Sequence, residues 1–364
     1  MTPKPLKVLV VDDTVLYRKV ISDILSLFPG VEVVGTAANG EIALAKIAEL
    51  TPDLITLDQE MPVMDGLTTL RRLRERRSEV VVVMVSAHTR QGAAVTLEAL
   101  NLGAYDFITK PEESDPVRSR EILTAKFRPI LNAVLAQKIL RQTIRSMASE
   151  SHPLSAVAPR AALAHPMPAA IPGAIEIIAI GISTGGPNAL TDLLPRLPGN
   201  LRVPIVIVQH MPKLFTRALA DSLDAKCAIR VVEGANGMPL EAATAYIAPG
   251  GHQMRVDCRQ GRPGYYLEVN NDPSENHCQP AADYLFRSVA RAFKGQALGI
   301  IMTGMGCDGT LGLRLMKRQG AQVIAQDQAT SVVYGMPMEA VRAGVVDVVL
   351  PLSEIAAEIK RRVG

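Results

Sequence analysis

The sequence predicts an α/β protein of two domains, each a doubly wound parallel sheet. Three observations lead there. The chain has 364 residues, too many for one ordinary core, so two domains are expected. In both halves short apolar segments alternate with amphipathic ones, and the apolar runs are continuous, which suits strands buried on both faces of a parallel sheet. Between the halves lies SESHPLSAVAPRAALAHPMPAAIPG. This Ala/Pro/Ser-rich stretch has too little apolar surface to order itself and reads as an extended, semi-flexible linker.

In the first half the expected strands are LKVLVVDD, VEVVGTAA, DLITLD, VVVVMVSA and DFITK, from Leu6 to about Lys110. Helical patterns such as VLYRKVISDILSLF and GEIALAKIAEL separate them. After Pro116 a basic stretch carries Arg118, Arg120, Lys126, Arg128, Lys138, Arg141 and Arg145, and Pro129 is expected to interrupt any single helix there. Its plain role is a solvated face; its sharper role is a docking surface for a partner or for the other domain. From Ala174 the alternation resumes in IEIIAIG, VPIVIVQH, ATAYIAP, GYYLEV, ALGIIMTG and AQVIAQD. The chain therefore divides into 1–125, a basic helix and linker over 126–173, and 174–364.

A formal charge of +3 is close to balance on a chain this size and gives no broad electrostatic footprint for nucleic acid. The lead MTPKPLK runs straight into a strand without a secretory pattern, and no apolar run approaches the ~18 residues of a membrane span. A soluble, cytoplasmic protein without membrane insertion is expected. Cys227, Cys258, Cys278 and Cys307 lack CxxC or CxxH spacing, so neither a zinc site nor a disulfide framework is indicated.

In the first half, Asp12 and Asp13 end the first strand, Asp58 the third, Ser86 the fourth and Lys110 the fifth. Ligands of an open parallel sheet bind outside the carboxyl ends of its strands, so these side chains should converge. Carboxylates so close raise one another's pKa unless a cation is present, and hard oxygen donors suit Mg²⁺. The metal would let Asp58 act as a nucleophile toward a phosphoryl group. One strand-end Asp is ordinarily a turn residue or a helix cap; the whole set is not explained that way.

VVDD, LDQEMPVMDG, SA and TKP resemble the receiver domain of bacterial response regulators, over Leu6 to Asp115. The resemblance implies a flavodoxin-like sheet of strand order 2-1-3-4-5 and Asp58 as phosphoacceptor. It further implies Mg²⁺ held by Asp12, Asp13 and Asp58, Ser86 and Lys110 on the phosphoryl group, Tyr105 as an aromatic switch, and a chemotaxis histidine kinase as phosphodonor. Phosphorylation would add about two negative charges, around which Ser86 and Tyr105 could repack.

In the second half, IAIGISTGGP breaks from a strand into small residues, and G-x-S-x-G spells both a nucleophile elbow and a plausible phosphate loop. Distant residues choose between them. No lysine supplies a P-loop ending, and the next strand ends in His210 rather than in an acid. Histidine can take a serine proton near neutral pH, and LGIIMTGMGCDG supplies Asp308 to orient the ring. Ser183, His210 and Asp308 all fall at strand ends, where one crevice can gather them. Singly they would read as a helix cap, a loop histidine and a turn residue. The order Ser, His, Asp differs from that of the α/β-hydrolases.

GISTGGP, VQHMP, YIAPGGHQM, MTGMGCDG and SVVYGMPMEA resemble the catalytic domain of the chemotaxis protein-glutamate methylesterase (CheB) family. The resemblance implies a Ser183, His210 and Asp308 triad with Thr184 and Met305 close by, and no catalytic cofactor. It implies hydrolysis of glutamate methyl esters, and deamidation of glutamines, on methyl-accepting chemoreceptors by a monomer. It also suggests that the unmodified receiver covers the crevice until Asp58 is phosphorylated. His252 in PGGHQM is the rival base, and QPAADYLF a helix-packing run. The rival classes are response regulators with a DNA-binding output, which needs a helix-turn-helix and a basic recognition face, or with a nucleotide-binding output.

Overall fold

The structure, a computed structural model, describes residues 4–87, 89–111, 115–149, 175–258 and 264–363. The Ala/Pro-rich stretch read as a linker lies outside the described residues. The first sheet is parallel, with strands β1 (Leu6–Val11), β2 (Val31–Ala37), β3 (Leu54–Asp58), β4 (Val81–Ser86) and β5 (Asp106–Thr109) in the expected order β2-β1-β3-β4-β5. The helices between them are α1 (Val15–Leu25), α2 (Gly40–Leu50), α3 (Gly66–Glu75) and α4 (Arg90–Asn101). Each starts on a polar side chain that accepts a first-turn N–H: Thr14, Asn39, Asp65 and Thr89 in turn.

Helix α5 (Pro116–Ser149) corrects one expectation, because it runs unbroken through Pro129. A proline inside a helix costs about 3 kcal/mol. Packing outweighs this: Leu123, Phe127, Ile130, Leu131 and Val134 are all buried against β1, β3, β4 and α1. Arg118, Arg120 and Arg128 are exposed, as expected of a solvated face, but two of the basic residues are engaged. Lys138 pairs with Asp53 at 2.6 Å, and Lys126 donates to Thr109 Oγ1 at 2.5 Å.

The second domain holds a seven-stranded parallel sheet. Its strands are β6 (Ile177–Ile182), β7 (Ile205–Gln209), β8 (Arg230–Glu233), β9 (Thr244–Ile247), β12 (Ala297–Ile301), β13 (Gln322–Gln326) and β14 (Val348–Leu350), in the order β14-β13-β12-β6-β7-β9-β8. Strands β10 (Gln253–Asp257) and β11 (Tyr266–Asn270) form a separate antiparallel hairpin. GYYLEV was expected in the parallel alternation and lies instead in this hairpin. The reason is its one-sided burial: Met254, Val256 and Leu267 face the core, while Arg255 and Glu268 pair at 2.8 Å on the other face.

The helices of this domain are α6 (Gly186–Leu193), α7 (Phe215–Asp224), α8 (Ala282–Phe293), α9 (Thr310–Arg318), α10 (Met336–Arg342) and α11 (Leu352–Val363). The two domains dock through α4, which packs against α6 and α7, and through the residues that lead into β5. Phe107 stacks on Phe215 with centroids 4.8 Å apart, Asn188 donates to the Ala104 carbonyl at 3.1 Å, and Lys226 donates to Asn101 at 2.8 Å. One continuous apolar cluster joins Leu97 and Leu100 of the first domain to Phe215 and Leu219 of the second.

Candidate functional sites

The strand-end set of the first domain does converge. Lys110 Nζ stands 2.9 Å from both Asp58 Oδ2 and Asp12 Oδ2. Asp58 Oδ1 accepts the Gln59 N–H at 2.9 Å, and Asp12 Oδ1 accepts from Thr14 at 2.6 Å. Burial pushes the Asp58 carboxyl up to about 6, against the pull of Lys110. Ser86 turns its hydroxyl to Gln59 Oε1, at 2.8 Å. Tyr105 stands half-buried at the domain contact, with its hydroxyl 3.5 Å from the Val332 carbonyl. A divalent metal fits the donor set: Asp12, Asp13 and Asp58 offer oxygens within 4.8 Å of one another, and buried Asp12 Oδ2 accepts no hydrogen bond beyond its ion pair.

In the second domain, β6 ends at Ile182 and the chain turns at Ser183 into α6. The turn is tightly held. Ser183 N–H donates to the Thr303 carbonyl at 2.9 Å, and Gly185 has φ of 76°, a left-handed conformation that favours glycine. Gly304 lies so close that a Cβ there would sit 2.7 Å from the Ser183 Cβ. From the end of β7, the Gln209 amide donates to the carbonyls of Ser183 at 2.9 Å and His210 at 3.2 Å, tying the two turns together.

Ser183 and His210 line one cleft of about 190 Å³. Behind the imidazole, His210 Nε2 meets Asp308 Oδ2 at 2.8 Å. The Asp308 carboxylate is saturated: it also accepts from Asn276 Nδ2 at 2.9 Å and from the N–H groups of Ala282 at 2.6 Å, Asp283 at 3.0 Å and Gly309 at 3.0 Å. Burial opposes the Asp308 charge, but His210 and these donors outweigh it and lower its pKa. Burial likewise opposes a charged His210, yet Asp308 and the Cys278 thiol raise the ring to about 9. Nδ1 faces that thiol at 3.6 Å.

Thr184 also lines the cleft, and Met305 is 44% exposed. His252 opens onto a different cleft, beside Lys213 and Arg217. The N-terminus of QPAADYLF does more than pack: the first turn of α8 anchors Asp308. Gln209, Asn276, Cys278 and Thr303 escaped the sequence reading. Only Gln209 carried a signal, a polar residue at the end of an apolar strand and next to His210.

The first domain closes this cleft. Its far wall is Asp106 to Thr109 of β5 with Lys126, Pro129 and Ile130 of α5. The Asp106 carboxyl, only 8% exposed, accepts the Phe107 N–H at 2.7 Å and is pushed up by burial to about 7, against the pull of the Phe107 and Gly185 backbone N–H groups. The second of these belongs to the Ser183 turn.

Residues 178–359 match the family model described as CheB methylesterase, and residues 8–120 that of the response regulator receiver domain. A protein-glutamate methylesterase/protein-glutamine glutaminase of Desulfotalea psychrophila is 47% identical over 98% of both chains. One of the same name from Trichodesmium erythraeum is 44% identical over 98% of this chain and 99% of its own. The crystal structure of the Thermotoga maritima CheB methylesterase catalytic domain superposes with a TM-score of 0.50 at 37% identity, over 51% of this chain and 97% of that one.

Proposed function

The chain belongs to the protein-glutamate methylesterase/protein-glutamine glutaminase family, and from that premise we propose that Ser183, His210 and Asp308 hydrolyse glutamate methyl esters of chemoreceptors under control of the receiver domain. One observation carries this reading: Ser183 and His210 open onto a single cleft, and Asp308 binds the ring from behind. The Ser183 hydroxyl attacks the ester carbonyl carbon as its proton passes to His210. Nε2 is committed to Asp308, so Nδ1 receives that proton. Negative charge on the carbonyl oxygen falls to backbone N–H groups near Thr184 and Met305. The tetrahedral adduct collapses, methoxide leaves as methanol with the His210 proton, and water frees the acyl-enzyme by the same route. A glutamine side chain would lose ammonia instead.

In the receiver, Asp58 is the proposed phosphoacceptor and a chemotaxis histidine kinase the donor. Mg²⁺ held by Asp12, Asp13 and Asp58 would supply neutralising charge for phosphoryl transfer. Lys110 and Ser86 would bind the phosphoryl oxygens, and Tyr105 would follow Ser86. The proposed division is a receiver over 1–125, a connector over 126–173 and a catalytic domain over 174–364, acting as a cytoplasmic monomer. Among the described residues no helix is long and apolar enough to cross a membrane. The wall built by β5 and α5, with Asp106 on the nucleophile turn, supports restraint of the unmodified enzyme by coverage.

The test is methanol release from methylated receptor membranes, with and without a small-molecule phosphodonor. Ser183→Ala should be inactive in both conditions, His252→Ala active in both, and Asp58→Asn unresponsive to the donor. Deletion of residues 1–170 should raise the basal rate. A basal rate equal to or below that of the full chain would refute restraint by coverage.

A further inference from the structure

The nitrogen of His210 that Asp308 leaves free faces the Cys278 sulfur at 3.6 Å. Cys278 is half-buried and set there by a tight turn, in which the Cys278 N–H donates to the Glu275 carbonyl at 2.7 Å and the Glu275 N–H to the Cys278 carbonyl at 3.1 Å. Thiolate and imidazole suit softer cations than the all-oxygen set around Asp58. Zinc bonded to sulfur at about 2.3 Å and to nitrogen at about 2.0–2.1 Å, with a tetrahedral angle, holds those two atoms about 3.6 Å apart. The observed separation matches. Asp308 supplies the remaining part of the pattern, because metal-binding histidines usually donate their other ring N–H to a carboxylate, which fixes tautomer and orientation. His210, Cys278 and Asp308 form one of two groups of possible metal donors among the described residues, and the other three cysteines belong to neither.

We infer that His210 Nδ1 and Cys278 Sγ form an inhibitory site for a thiophilic divalent cation such as zinc, with Asp308 as the orienting carboxylate and water completing the shell. On binding, the thiol proton passes to solvent, metal–sulfur and metal–nitrogen bonds form, and nothing is oxidised or reduced. Spacing along the chain could not reveal the pair, whose members lie 68 residues apart. The occupied Nδ1 cannot take the Ser183 proton, so the cation stops hydrolysis. That consequence rests on the proposed role of His210 as base; the binding does not.

Titration of the full chain with Co²⁺, without substrate, should produce thiolate-to-cobalt charge-transfer absorption. Cys278→Ser and Cys278→Ala should both abolish it, and a variant with Cys227, Cys258 and Cys307 all changed to Ser should keep it. In the methanol-release assay Zn²⁺ should inhibit, EDTA should restore the rate, and Cys278→Ser should raise the half-inhibitory concentration at least about tenfold, each protein measured against its own metal-free rate. Cobalt absorption that survives both Cys278 substitutions, or zinc inhibition of hydrolysis that is equally strong in the two proteins, overturns the site. Absorption that depends on Cys278 while zinc leaves hydrolysis untouched upholds the cation site and removes His210 as the base.

Discussion

Helix starts are treated in opposite ways in the two domains. In the receiver α1 to α4 begin on Thr14, Asn39, Asp65 and Thr89, whose side chains consume first-turn N–H groups locally. In the catalytic domain α6 to α10 have no side-chain cap of their own. Unpaired N–H groups at a helix start attract an anion. At α8 that anion is the Asp308 carboxylate, delivered from a distant loop, while the group beside the start of α6 is the Asp106 carboxyl of the other domain, which burial raises to about 7. The difference has an electrostatic counterpart. Asp58, with one backbone donor and a lysine, is raised by burial to about 6, while Asp308, with three backbone donors, stays low. The carboxylate proposed to react is short of donors; the one that holds the imidazole is saturated with them.

The largest expected effect in breaking this comparison is that of Ser183→Ala, which should lower kcat/KM for ester hydrolysis by about 10⁴-fold or more. A loss below tenfold would place the chemistry elsewhere. Asp308→Asn comes next, about 10⁴-fold or less in rate, with lower thermal stability because the start of α8 loses a charged acceptor. A stability loss without a rate loss would make the carboxylate a cap and nothing more. The proposed base must be neutral to accept a proton, and His210 is raised to about 9, so kcat/KM should climb from neutral pH toward about 9. By linkage, the stability this ring contributes is full below its ordinary pKa of about 6.5 and is lost as pH rises through 9.

Asp106→Ala should raise the rate of the unphosphorylated full chain by up to about tenfold, the size of one ordinary polar contact. An unchanged basal rate would mean that the stacked Phe107 and Phe215, rather than Asp106, hold the domains together. The smallest effect belongs to Asn39→Ala, which should cost about 1 kcal/mol in denaturant unfolding and leave the phosphodonor response unaltered.

Strand ends were legible because strands buried on both faces read as unbroken apolar runs, so Asp58, Ser183 and His210 could be placed without coordinates. Asp308 followed from the same rule, just past the later strand ALGIIMTG. Partners that arrive from far along the chain were not legible: Asn276 and the start of α8 meet Asp308 across 32 and 26 residues. Short strands failed for another reason. RVVE is four residues at the sheet edge and VVL only three, too brief for periodicity to register. Pro129 misled because local propensity is a weak prior against an apolar stripe that spans several turns.

Helix α5 belongs to two structures at once. Its 34 residues extend about 50 Å, with Phe127 and Leu131 sunk in the receiver core, while Lys126 and Pro129 reach the wall opposite Ser183. The buried and the cleft-lining residues share the same turns of this rod, so a tilt of one carries the other with it. On the proposed reading of Ser183 as nucleophile, a shift in the interior of the first domain would change the width of the gap opposite that serine.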